Sequence, residues 1–247
     1  MLRLSARRNP AFLASVRNAD EALAALAGGA DILDCKEPSL GALGAVSLPV
    51  IREIVAAAGP GVTISATIGE LPNDPLRVAE AAEEVAAAGV HIVKWGLFET
   101  DSVTEVIDAL QRADLKGAHL VAVLMADRNP DLALHSYLAA AGFAGVMLDT
   151  ADKSRGSLTQ VLSAFEINAF VSQAKKHGLM SGLAGSLRIA DIEPLLRFRP
   201  AVIGFRGALC TAGRSGELAR ANVDCVAKAI DAAAHSVRVI HPSRIVA

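Results

Sequence analysis

Residues 27–36 read Ala-Gly-Gly-Ala-Asp-Ile-Leu-Asp-Cys-Lys, and this stretch decides the fold. Ala27-Gly28-Gly29 ends an alanine-rich helical segment with the residue that most readily takes the left-handed backbone, and an apolar run follows at once. The run leads into Asp34 and Lys36. These two share a face, because successive side chains on a strand point to opposite sides. The same order of helix, glycine and strand returns at Ala88-Gly89-Val90 and Ala141-Gly142-Phe143, on every second unit. Laid over one another, Ile32-Leu33-Asp34, Ile92-Val93-Lys94, Met147-Leu148-Asp149 and Val202-Ile203-Gly204 align three charged residues and a glycine.

Working outward, apolar runs predict strands at Phe12–Val16, Asp31–Lys36, Thr63–Ile68, His91–Leu97, Leu120–Met125, Val146–Thr150, Leu179–Leu183 and Val202–Arg206. Helical stretches lie between them, at Ala19–Ala27, Leu48–Ala58, Pro75–Ala88, Ser102–Ala113, Leu132–Ala141, Glu166–Lys176, Ala190–Phe198 and Leu218–Ala234. Strand and helix alternating eight times over 247 residues predict an α/β fold, a single (β/α)8 or TIM barrel, with one catalytic domain over residues 1–247. A chain that is 52% hydrophobic but only 4% aromatic packs with Ala, Val, Leu and Ile, which suits parallel strands buried on both faces.

In such a barrel, side chains from alternate strands form one interior layer. Asp34, Lys94, Asp149 and Gly204 are expected in one layer, and Lys36, Gly96, Ala151 and Arg206 in the next toward the mouth. Gly96 and Gly204 are expected to leave room for a ligand. Buried charges are costly unless paired, so a structural ion pair is the alternative reading of Asp34 and Lys36 taken alone. With Lys94 and Asp149 added, a site at the catalytic face is the better account. A neutral lysine attacks a carbonyl carbon to form a Schiff base. Desolvation and neighbouring positive charge increase that neutral form, and Lys36, Lys94 and Lys153 are expected to perturb one another in this way. The spacing leaves open which lysine is the nucleophile.

Gly182-Leu183-Ala184-Gly185-Ser186 and Gly204-Phe205-Arg206-Gly207-Ala208 end the seventh and eighth strands. Barrels often hold phosphate there, so Gly185, Ser186, Arg206 and Gly207 are the predicted anion ligands. Ser65 and Thr67 on the third strand either face the pocket, or one of them is a satisfied core hydroxyl. Asp127 serves catalysis or a loop. The six histidines form no metal constellation: His91 starts a strand, and His119, His135 and His177 look peripheral. Cys35 and Trp95 alternate away from the pocket, and Lys175-Lys176 reads as a solvated helix end. Cys35, Cys210 and Cys225 have no ligand spacing and read as reduced thiols.

A formal net charge of −2 argues against nucleic acid as partner. Arg3, Arg7 and Arg8 precede no apolar segment of signal-peptide type, and no apolar run reaches membrane-spanning length, so a cytoplasmic protein is expected. Apolar helix faces allow a homo-oligomer.

Gly28 to Pro38 with Gly41-Ala42-Leu43-Gly44-Ala45 resembles the (5-formylfuran-3-yl)methyl phosphate synthases. So do Ser65-Ala66-Thr67-Ile68-Gly69, Val93-Lys94-Trp95-Gly96-Leu97, Met147 to Lys153, Leu183-Ala184-Gly185-Ser186 and Gly204 to Ala208. The similarity runs from the first strand to the eighth. It implies condensation of two glyceraldehyde 3-phosphate molecules, with loss of one phosphate and water, to the furan precursor of methanofuran, without metal or cofactor. It further implies that Lys36 is the Schiff-base lysine and Lys94 the proton acceptor, with Asp34, Asp149 and Lys153 completing the site. Two phosphorylated substrates need two anion sites, and Lys153 and Arg155 are candidates for the second. Cys35 replaces an aliphatic residue of the family pattern on the outward face, and residues 128–130 and the first ten residues match less well. Two other readings stay open: a different Schiff-base aldolase or sugar-phosphate isomerase, and a barrel that only binds a phosphorylated metabolite.

Overall fold

The computed structural model describes residues 8–99 and 101–240; Arg3 and Arg7 lie outside the described residues. Strands β1 (Ala11–Val16), β2 (Ile32–Cys35), β3 (Thr63–Thr67), β4 (Ile92–Leu97), β5 (His119–Met125), β6 (Gly145–Asp149), β7 (Met180–Leu183) and β8 (Val202–Phe205) form a closed parallel barrel in chain order. The barrel closes where Leu13 of β1 pairs with Gly204 of β8. Around it lie α1 (Ala19–Ala27), α2 (Leu48–Ala58), α3 (Pro75–Ala87), α4 (Val103–Arg112), α5 (Leu134–Ala140), α6 (Leu158–Val161), α7 (Ala164–Lys176), α8 (Ile189–Leu196) and α9 (Arg220–Ile240).

Strand parity divides the core. Residues such as Phe12, Leu33, Ile64, Val93, Trp95 and Leu148 face outward into one cluster with the helices. Ala11, Leu13, Ile32, Ile92, Val121, Val123, Met147 and Val202 point inward and fill the barrel as a second, smaller cluster. Each large aliphatic side chain removed from water this way contributes about 1.5–3 kcal/mol. Cys35 and Trp95 belong to the outer cluster, as their parity predicts.

Local chemistry sets the helix ends. Asn18 accepts the backbone N–H of Glu21 at 2.9 Å and starts α1, which places Glu21 in the first turn. Ser163 and Glu166 cap each other's backbone at the start of α7.

Several expectations are corrected. The short α6 falls in a stretch expected to be loop; its single turn, with only Leu158 buried, is too brief to show a period. The last helix runs on from Arg220 to Ile240. His135 is fully buried rather than peripheral, with its ring edge-on to Phe170 at 5.0 Å. Gly96 does not open space for a ligand: a Cβ there would lie 2.4 Å from Leu43 Cδ1 and 2.5 Å from Phe98. Leu43, from the loop between β2 and α2, joins the inner cluster and stops the barrel mouth on the β3–β4 side.

Candidate active site

With that side stopped, the cavity lies toward β6, β7, β8, β1 and β2. It has a volume of about 410 Å³ and is walled by Ser15, Asp34, Lys36, Lys94, Asp149 and Lys153, with the loops after β7 and β8 around its rim. Leu13, Val123 and Met147 give it an apolar floor.

Two ion clusters share this cavity. In one, Lys94 Nζ lies 2.5 Å from Asp34 Oδ1. Asp34 also accepts the hydroxyls of Ser65 (2.7 Å) and Ser15 (3.1 Å). In the other, Asp149 receives Lys36 Nζ at 2.9 Å on Oδ2 and Lys153 Nζ at 2.5 Å on Oδ1. The backbone N–H of Thr150 adds a third donor to Asp149 at 2.8 Å. Asp34, Lys36, Lys94 and Asp149 are all buried. Lys36 reaches from the upper layer to Asp149 in the lower one because its stem is four carbons long.

The electrostatics follow from burial and neighbours. Burial, helped by the charge of Lys36, holds the Lys94 ammonium below the usual lysine range against the pull of Asp34. Burial shifts Lys153 the same way, aided by Lys36 and Arg214 and opposed by Asp149. Burial works against the charge on Asp149, but Lys153 and Lys36 outweigh it and keep the carboxyl far below the normal carboxylate range. The buried Cys35 thiol is pushed up to about 12, which removes it as a nucleophile.

Not every predicted ligand meets the cavity. Ser65 touches it only through Asp34. Thr67 donates to Gly44 O at 3.1 Å and so holds the loop that carries Leu43. Asp127 accepts the backbone N–H groups of Ala151 and Asp152, both at 2.7 Å, which is a loop-holding role. Arg206 lies on the cavity wall, yet its donors are taken by the protein. Nη1 and Nη2 fork onto Glu21 at 2.5 and 3.1 Å, and the carbonyls of Ser15, Arg214 and Gly216 take the rest. An arginine so occupied positions its loop and has no donor left for phosphate.

The loops themselves keep free donors. Among the described residues, no protein acceptor meets the backbone N–H of Ser186, Leu187, Gly207 or Ala208, all on the cavity wall. Gly185, at φ +107°, makes this turn; a Cβ there would lie 3.0 Å from Thr150 and be strained by the backbone as well. Arg188 stands exposed on the same rim.

Sequence reasoning missed Ser15, Glu21, Arg188 and Arg214. Ser15 had a signal, a hydroxyl in the inward phase of an otherwise apolar strand. Glu21 and Arg214 had none.

The sequence profile of the 4-HFC-P synthase family matches residues 12–227. The chain belongs to this family. A Methylorubrum extorquens protein that bears the name (5-formylfuran-3-yl)methyl phosphate synthase provisionally is 41% identical over 203 residues, covering 82% of this chain and 84% of its own. The Methanopyrus kandleri (5-formylfuran-3-yl)methyl phosphate synthase is 38% identical over 220 residues, 83% of this chain and 91% of its own. Among solved structures, phosphoribosyl anthranilate isomerase from Thermus thermophilus superposes with a TM-score of 0.64 at 18% identity, over 92% of this chain and all of its own. At that identity the likeness speaks for the barrel alone. This member of the 4-HFC-P synthase family is thus a TIM barrel with paired lysines and aspartates in its mouth. Among the described residues, no helix is long and apolar enough to cross a membrane.

Proposed function

We propose that the protein condenses two molecules of glyceraldehyde 3-phosphate to (5-formylfuran-3-yl)methyl phosphate through a Schiff base on Lys36, toward a methanofuran-type cofactor. The atoms balance without an oxidant, since two triose phosphates equal the furan phosphate plus one phosphate and two waters. The chemistry is therefore proton transfer, carbon–carbon bond formation and elimination, which lysines and carboxylates supply.

The observation that carries this reading is the pairing of Lys36 with Asp149, and of Lys94 with Asp34, within one cavity of a chain of this family. Lys36 faces the cavity with one protein partner and forms the imine. Asp149 stays ionised and stabilises the iminium, while Lys153 steadies Asp149 from its other oxygen. Lys94, with its lowered proton affinity, takes the α-proton to give the enamine, and Asp34 orients it. The enamine attacks the aldehyde of the second triose. The phosphate of the first sits on the free N–H groups after β7 and β8, with Gly185, Ser186, Gly207 and Arg188 around it. Ser65, Thr67 and Arg206 support the site from behind.

The test is to incubate the protein with glyceraldehyde 3-phosphate, reduce with borohydride and map the adduct by peptide mass spectrometry. Furan absorbance and released phosphate are followed in parallel. An adduct on Lys36 with furan formed is the expected result. An adduct without furan would favour another aldolase, and one on Lys94 or Lys153 would overturn the assignment of roles. Neither adduct nor product from folded protein would leave a phosphate-binding barrel.

A further inference from the structure

Beside the main cavity lies a second cleft of about 570 Å³, bounded by the loops after β2 to β6. Two residues line both spaces, and both are cations: Lys153 and Arg214. Their free donors differ. Lys153 Nζ is spent on Asp149 and on the carbonyl and hydroxyl of Thr150. Arg214 commits only Nη2, to the carbonyls of Pro38 (2.6 Å) and Gly41 (2.5 Å). Among the described residues no acceptor meets its Nε or Nη1.

This guanidinium is also held in place. Arg206 grips the carbonyls of Arg214 and Gly216, each at 2.9 Å, and is itself forked onto Glu21. Three segments thus fix one planar cation between two cavities with part of its donor edge unused. Such an edge matches the paired oxygens of a phosphate monoester. Arg128 and Arg155 add positive charge across the cleft, each with one N–H on a carbonyl. The acids there are already engaged: Glu70 accepts Leu43 N–H, Asp127 accepts two backbone N–H groups, and Asp152 holds Ser154.

We infer that Arg214, on the loop after β8, binds the phosphate of the second triose at the junction of cavity and cleft. The inference rests on the condensation reading for its substrate, and on the geometry alone for its anion. It gives Arg206 and Glu21 a purpose as positioning residues, since they aim the loop that carries Arg214.

The test has two arms, so that its failure and that of the condensation reading can be told apart. Calorimetric titration with inorganic phosphate should show two equivalents bound to the wild type and one to Arg214→Gln, with Arg214→Lys intermediate in affinity. This arm does not depend on imine formation. A single equivalent on the wild type, or unchanged binding by a folded Arg214→Gln, would overturn the inference. In the second arm, borohydride trapping on Lys36 should keep its dependence on glyceraldehyde 3-phosphate in Arg214→Gln. Half-saturation for furan formation should rise by about tenfold or more, as expected for a lost charge-assisted bidentate contact. Trapping and furan formation shifting together, or neither shifting, would count against Arg214 as the second ligand. If the wild type forms no adduct, the Schiff-base reading fails and the phosphate stoichiometry alone decides this one.

Discussion

The barrel mouth holds two sets of buried ion pairs that are built alike and differ in what they leave unused. Around Glu21, Arg17 donates from its backbone N–H, Nε and Nη2, Arg206 from both terminal nitrogens, and Leu218 from its backbone. Every N–H of Arg206 has an acceptor. Around Asp34 and Asp149 the carboxylates are equally well served, but Lys36 and Lys94 each meet a single carboxylate and face a cavity. In both networks cations hold a carboxyl below its ordinary range against burial. A perturbed carboxylate therefore does not separate a brace from a site; the count of unspent donors does.

Breaking the reactive network should have the largest effect. Lys36→Arg keeps the charge but not the nucleophile, because guanidinium stays protonated; furan formation and borohydride trapping should both vanish while the protein melts cooperatively. Lys94→Met should lower kcat by about 10²–10⁴-fold, as for a lost acid–base group, with the Lys36 adduct still mappable by mass spectrometry. The bracing network should respond through stability. Glu21→Gln leaves Arg206 without its buried counter-charge and should cost about 3–5 kcal/mol in denaturant unfolding. Lys36→Met should cost only about 1 kcal/mol or less, since Asp149 keeps Lys153 and the Thr150 N–H.

The smallest effect is in pH. Asp149 has a lower proton affinity folded than unfolded, so its stabilising contribution is complete above the unfolded value of about 3.9 and is lost as pH falls toward the folded one. Thermal melts should therefore show the gap between wild type and Asp149→Asn narrowing only below about pH 4. In the other direction, furan formation should rise with pH as Lys94 loses its proton, with a midpoint below the ordinary lysine value of about 10.4.

Strand parity was legible because it depends on neighbours along the chain. Asp34, Lys36, Lys94 and Asp149 alternate with apolar residues that belong to the helix interface, so their inward direction could be read from the sequence, and the glycine stops between helix and strand marked the units. Gly185 and Ser186 stood out only as the end of the seventh strand; that both take φ above zero is a finding of the structure. Arg206 was not legible: its charge suggested a ligand, and nothing in the chain says that Glu21, 185 residues away, has claimed it. Gly96 misled similarly, since the side chain that fills its space comes from Leu43 in another loop.

By itself, then, the sequence determined the alternation of strand and helix, the inward phase of each strand and the family, all of which are written in spacings of a few residues. The tertiary structure decided which charges are spent and which are free. That depends on partners far apart in the chain, such as Lys36 with Asp149, Glu21 with Arg206, and Arg214 with the carbonyls of Pro38 and Gly41. A hydrogen bond is settled by distance and direction in space, and barrel closure brings those groups together where no local pattern can.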